Sequence, residues 1–181
     1  MYRIGQEEIE AVARVIQSKN LFRVNEAGKE AENFEKEWAA KCGVKYSLCV
    51  SGGTGALACA LAGLGIGPGD EVIVPGYTFM ATATAVLMVG AIPVIAEVDE
   101  TCTLDPQDFE RKITKNVKAV IPVHMVGLPC NMDRIMEIAD KHNIKVLEDA
   151  CQAVGGSYKG RRLGSIGHAG AFSFNYYKNI S

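Results

Sequence analysis

The sequence predicts an α/β domain in three layers, α/β/α, with a mainly parallel sheet in the middle. Two observations carry this. From Lys45 onward, short apolar runs alternate with segments of helical period, and the connections between them are short and rich in glycine and proline. Strands that alternate with helices in this way pair in parallel, with both faces of the sheet covered. The chain has 181 residues, 48% hydrophobic and 22% charged, enough for one good-sized core, so a single folding unit is expected.

In chain order, Ile9, Val12, Ala13 and Ile16 recur at helical spacing within a polar segment. Phe34, Trp38 and Cys42 do the same ahead of Gly43, a helix stop. These are two amphipathic helices, with the polar, aperiodic stretch from Asn20 to Lys29 between them as an exposed loop. Tyr46 to Val50 is an apolar run read as a strand, followed by a glycine-rich turn and a small-residue helix from Thr54 to Leu64. Gly65 to Asp70 forms a loop. Glu71 to Val74 reads as a strand, Met80 to Val89 as a helix and Ile92 to Val98 as a strand. Pro106 to Ile113 is a short helix with Asp105 as its cap, Val117 to Val123 a strand, Met132 to His142 a helix and Lys145 to Glu148 a strand. Gly155 to Gly164 is turn-rich and leads into a last strand, Ala169 to Phe174. No internal repeat or low-complexity linker interrupts the pattern.

Composition narrows the function classes. The 19 Lys and Arg against 21 Asp and Glu give a net charge of -2, which offers no footprint for nucleic acid or an acidic membrane, so a small-molecule partner is expected. The six cysteines are scattered without a CxxC pair and read as reduced core thiols. Met1 to Glu8 lacks the basic-then-apolar pattern of a signal peptide, which points to the cytoplasm. Val72 to Ala96 carries no charge and is long enough to span a membrane. Pro75, Gly76, Gly90 and Pro93 divide it into strand, helix and strand, so no membrane partner is expected.

Three constellations could carry chemistry. Ser51-Gly52-Gly53-Thr54-Gly55-Ala56 joins an expected strand to a helix, whose first amides and dipole favour an anion such as a phosphate; a tight turn without a ligand is the plainer reading. Gly53 to Ala58 also fits the weak dinucleotide pattern GxGxxA, but no acid ends the second strand to hold a ribose, so one phosphate is preferred. Val146 to Gln152 ends an apolar strand in two acids, Glu148 and Asp149, which alternation turns to opposite sides. An acid there could bind a metal, a ribose or a protonated ring nitrogen, or simply cap the next helix. Metal is the weakest of these, because the three histidines stand at unhelpful spacings. Finally, Lys178 sits among aromatic and apolar neighbours. A lysine kept from water loses some preference for the ammonium form and can condense with a carbonyl, although a solvated loop lysine would look the same. A phosphate cradle, a strand-end carboxylate and an imine-forming lysine together are the parts needed to hold pyridoxal 5'-phosphate.

Gly-Thr opening a helix of small residues, GIGPGDEVIVPGYTFMATA at Gly65 to Ala83, EDACQA at Glu148 to Ala153 and SFNYYKN at Ser173 to Asn179 together resemble the DegT/DnrJ/EryC1/StrS aminotransferases, pyridoxal-phosphate enzymes of fold type I. The resemblance runs from about Phe34 to the last residue. It implies that Lys178 forms the Schiff base and shuttles the proton, that Asp149 partners the pyridine nitrogen and that Gln152 lies near the phenolic oxygen. It also implies that Gly53, Thr54, Gly55 and Ser173 hold the phosphate and that Phe79 stacks on the ring; from the spacing of the histidines, no metal is expected. Gly52 departs from the family by replacing a serine, which removes a hydroxyl but no backbone donor. Family chains continue past the lysine, so residues 1–181 are expected to be the amino-terminal part of the pyridoxal-phosphate-binding large domain, with the small carboxyl-terminal domain absent.

The implied activity is transamination of a keto sugar, nucleotide-linked or a keto-cyclitol, with glutamate or glutamine as donor, in a homodimer when full length. Three alternatives stand beside it: a sugar dehydratase, in which histidine replaces the lysine and against which Lys178 argues; a non-catalytic regulatory protein that keeps the cofactor fold; and a mononucleotide-binding module.

Overall fold

The structure is a computed structural model, described for residues 4–21, 23 and 29–178. It divides into two compact units, Met1–Cys49 and Val50–Ser181, each taken here by itself.

In the first unit, helix α1 (Gln6–Ser18) opens with the Gly5 amide donating to the Glu8 carboxylate at 2.7 Å. Its apolar positions Ile9, Val12 and Ile16 fall at helical spacing as expected, and all three are exposed. Helix α2 (Glu30–Cys42) stops at Gly43, whose φ of 72° is the left-handed conformation that suits glycine. Of the loop expected from Asn20 to Lys29, residues 22 and 24–28 lie outside the described residues. The strand expected at Tyr46 to Val50 is absent, and Tyr46, Leu48 and Val50 are exposed. An apolar run becomes a strand only when a neighbour takes up its backbone groups. Here the buried Glu35 of α2, ion-paired to Arg23, anchors the segment instead. Its carboxylate accepts from the Cys49 amide at 2.6 Å and its carbonyl from the Ser47 hydroxyl at 2.7 Å.

The second unit runs α3 (Gly53–Gly63), β1 (Glu71–Pro75), α4 (Ala81–Met88), β2 (Ile92–Ala96), α5 (Pro106–Arg111), β3 (Val117–Val120), a 3-10 turn at Met125–Gly127, α6 (Met132–His142), β4 (Lys145–Asp149), β5 (Ser157–Tyr158), β6 (Arg161–Arg162) and β7 (Ala169–Ala171). Five strands form one sheet in the order β2-β1-β3-β4-β7, with every pair parallel. Strand alternation sorts the side chains into two cores. Val72, Val74, Ile121 and Leu147 pack with Leu57 and Leu61 of α3 and with Ala85 and Val86 of α4. Ile73, Val120 and Val146 pack with Phe109 of α5 and with Met132, Ile135 and Ile138 of α6. Each fully buried side chain of this size contributes roughly 1.5–3 kcal/mol, so the three-layer α/β/α arrangement follows directly from the alternation.

Local signals held where their chemistry was local. Asp105 caps α5 by accepting from the Gln107 amide at 2.8 Å. The charge-free run from Val72 to Ala96 is divided into β1, α4 and β2, and no helix among the described residues is long and apolar enough to cross a membrane. The turn-rich stretch closes into the short antiparallel pair β5 and β6, joined by Lys159 and Gly160 at φ 49° and 82°. Three strands are shorter than expected, and β2 is one of them, ending at Ala96 rather than Val98. Regular pairing of β3 ends at Val120, ahead of Pro122, and β7 ends at Ala171.

Strand β7 is admitted to the sheet by a close backbone crossing. A Cβ on Gly170 would lie 2.6 Å from Gly164 Cα and 2.7 Å from its carbonyl carbon, contacts with backbone that no rotamer relieves. Gly170→Ala is therefore expected to destabilise the protein by about 2–3 kcal/mol, read as a lowered denaturant midpoint.

Candidate active site

Every expected site residue in this unit closes a strand, follows the carboxyl end of one or opens α3, at the end of a parallel sheet where loops form a crevice. The α3 helix makes its first bond from the Ala56 amide to the Gly52 carbonyl at 2.9 Å, so the amides of Gly53, Thr54 and Gly55 have no partner within the helix and face its open end. Gly53 is fixed by close approach. A Cβ on it would stand 2.9 Å from Cys151 Sγ and 3.1 Å from Ser173 Cβ. That glycine therefore brings the helix start, the segment after β4 and the segment after β7 together at one point, with the buried Ser173 beside the amides.

Asp149 closes β4 and is 5% exposed. Its Oδ2 accepts from the Thr82 hydroxyl at 2.9 Å, and Thr82 is in turn 2.9 Å from the Thr78 hydroxyl. Its Oδ1 accepts from the Cys151 amide at 3.1 Å. Alternation put Glu148 and Asp149 on opposite sides, and they are: Asp149 faces α4, while Glu148 turns to His124 and the loop Gly164 to Gly167.

Lys178 is half-buried, and its Nζ stands 5.8 Å from the centroid of the Phe79 ring. The turn that presents it is built by Asn175, whose side chain accepts from the Tyr177 amide at 3.1 Å and whose carbonyl accepts from the Lys178 amide at 2.8 Å. Burial pushes the Cys151 thiol well up, and the Asp149 carboxylate adds to that, while the Lys178 charge acts the other way.

Gln152 is engaged elsewhere. Its Oε1 accepts from the Val126 amide at 3.2 Å and its Nε2 reaches Met125 Sδ at 3.6 Å, tying it to the 3-10 turn. The sequence reading missed Thr78 and Thr82, which steady Asp149, and His124, whose amide donates to the Asp149 carbonyl at 3.1 Å. A threonine pair at i and i+4 entering a helix was the available signal for the first two. His124 had none beyond its place after a strand.

The sequence profile of the DegT/DnrJ/EryC1/StrS aminotransferase family matches residues 2–181. The chain is 46% identical over 171 residues to the dTDP-3-amino-3,4,6-trideoxy-alpha-D-glucose transaminase of Streptomyces venezuelae, covering 94% of this chain and 44% of that protein. An aminotransferase from Psychrobacter cryohalolentis, solved by X-ray methods, superposes with a TM-score of 0.93 at 45% identity, over 98% of this chain and 45% of that one. NtdA of Bacillus subtilis, crystallised with bound cofactor PMP, superposes with a TM-score of 0.85 at 34% identity, over 98% of this chain and 40% of that one. The chain thus spans about half the length of the curated relatives it matches.

Proposed function

The chain belongs to the DegT/DnrJ/EryC1/StrS aminotransferase family, and from that premise we propose that it is the amino-terminal part of a pyridoxal-phosphate-dependent transaminase. The enzyme moves an amino group from glutamate or glutamine to a nucleotide-linked keto sugar, and works in the cytoplasm as a homodimer. The observation that carries this reading is the junction at Gly53, which gathers helix amides, Ser173 and the Asp149 strand end at one place. The donor set suits the cofactor: outward amides and a hydroxyl for a phosphate, a buried carboxylate for a protonated ring nitrogen, and an amine for an aldehyde.

When bound, pyridoxal phosphate supplies an electron sink for the carbanion left when an amine loses a proton. The rest is the work of this chain. Gly53, Thr54, Gly55 and Ser173 would bind the phosphate and Phe79 would cover the ring; Gln152, whose Oε1 accepts from the Val126 amide, would offer its Nε2 to the phenolic oxygen. Asp149 keeps a proton on the ring nitrogen, held in position by Thr82 and the Cys151 amide. Lys178 Nζ is the anchoring amine, and it then takes the proton from one carbon and returns it to another, in both half-reactions.

Borohydride reduction after incubation with pyridoxal phosphate, followed by peptide mapping, tests the reading. A covalent adduct confined to the peptide of Lys178 is the expected result. Adducts scattered over surface lysines, with Lys178 unmodified, would overturn it.

A further inference from the structure

The Asp149 carboxylate ends a chain of hydroxyls whose direction follows from its chemistry. An ionised carboxylate only accepts, so the Thr82 hydroxyl gives its one hydrogen to Oδ2 at 2.9 Å. The Thr82 oxygen, 2.9 Å from the Thr78 hydroxyl, is then the acceptor of that second bond and Thr78 the donor. Thr82 is 1% exposed, so the middle of the chain is shut off from water, and an acceptor left unmatched there would cost more than its bond gains. Dipoles aligned head to tail in this way strengthen one another.

The chain of hydroxyls joins two candidate site groups. Thr78 lies between β1 and α4, next to Phe79, and the Thr82 amide donates to the Phe79 carbonyl at 3.1 Å. One backbone bond and one side-chain bond therefore close the turn that carries Phe79, and the side-chain bond runs on to the end of β4. On its other oxygen Asp149 accepts from the Cys151 amide at 3.1 Å. Both of these donors are neutral, so they fix the direction of the carboxylate without cancelling its charge.

We propose that Thr78, one hydroxyl removed from Asp149, is a positioning residue for the cofactor ring that acts through Thr82: a single hydroxyl chain sets the carboxylate at the ring nitrogen and the Phe79 turn at the ring face together. The inference rests on the reading of the chain as a pyridoxal-phosphate transaminase. A carboxylate and an aromatic side chain that swing independently must both be ordered when the cofactor arrives. Tied to each other they are already placed, and binding is tighter by the cost of that ordering.

The test is calorimetric titration of the chain with pyridoxal phosphate, together with circular dichroism in the absorbance band of the bound cofactor, which reports how the ring is held. Thr78→Val keeps the shape of the side chain and removes the hydroxyl. It is expected to weaken binding about fivefold, the scale of a bond between neutral groups, and to shrink the dichroic band per bound cofactor. Thr82→Val, which takes a bond from the charged carboxylate, should weaken binding about 20-fold. Because Thr78 acts through Thr82, the double variant should bind no more weakly than Thr82→Val alone. Thr78→Ser, which keeps the hydroxyl, should restore both the affinity and the band. Thr78→Val with wild-type affinity and band, a loss that adds in full to that of Thr82→Val, or a serine variant that restores neither overturns the inference; a reduced adduct still confined to Lys178 of the wild type then leaves the transaminase reading standing. A wild type that takes up no cofactor at Lys178 overturns that reading and the inference with it.

Discussion

Asp149→Asn is expected to lower transamination turnover about 10³-fold, the scale of losing a group that holds a proton in the transition state. Folding stability should stay within about 0.5 kcal/mol. The two effects separate because of what surrounds the carboxylate. Oδ1 accepts from the Cys151 amide, and the amide oxygen of asparagine can take that bond unchanged. Oδ2 faces the Thr82 hydroxyl, which also touches the Thr78 hydroxyl. A hydroxyl both donates and accepts, so Thr82 can turn round, accept from the new amide nitrogen and donate to Thr78. The site loses its charge and the fold loses no bond. Steady-state turnover and a denaturant midpoint on the same preparation check both halves. Turnover near wild type would remove Asp149 from the role proposed for it.

What could be read in the sequence is what depends on near neighbours. Alternation in Val72-Ile73-Val74 fixed which side chains meet α3 and α4 and which meet α5 and α6. The same period turns Glu148 and Asp149 to opposite sides of β4. Gly53 as part of a phosphate turn was readable from its neighbours, but its close approach to Cys151 and Ser173 was not, since they lie about a hundred residues away in sequence. Tyr46 to Val50 misled for the same reason. Its composition suits a strand, yet strand formation is decided by a partner, and side-chain bonds to Glu35 decided otherwise. The Met125–Gly127 turn escaped because its valine contradicts local preference and is held by Gln152 from the next strand end.

Glu148→Gln, one residue away and the same change of carboxylate to amide, is expected to behave in the opposite way and destabilise the fold by about 3–5 kcal/mol. Glu148 is fully buried, and everything around it donates. Ile166 and Gly167 give amide hydrogens to Oε1 at 2.5 and 2.7 Å. Gly164 gives one to Oε2 at 2.8 Å, and His124 Nε2 lies 3.0 Å from the same oxygen. The histidine cannot reverse its role, because the Cys130 amide donates to its Nδ1 at 3.2 Å and so leaves the hydrogen on Nε2. Whichever way a glutamine is turned, its NH₂ group meets one buried donor and one partly buried donor, the buried one left unsatisfied at a cost of about 1–3 kcal/mol. The effect carries a pH signature. Burial pushes the Glu148 carboxyl up, but the bonds from His124 and from the Gly167 and Gly164 amides outweigh it and hold the group below its ordinary 4.5. A carboxyl with a folded-state pKa below the unfolded one adds stability that is complete above the unfolded value and is lost as pH falls through the folded one. The gap in unfolding free energy between wild type and Glu148→Gln should therefore be constant from neutral pH down to about 5 and narrow below it. Denaturant unfolding at a series of pH values measures that gap, and a gap that stays level or widens below pH 4.5 would show that the ionised carboxylate is not what holds the Gly164 to Gly167 loop to β4.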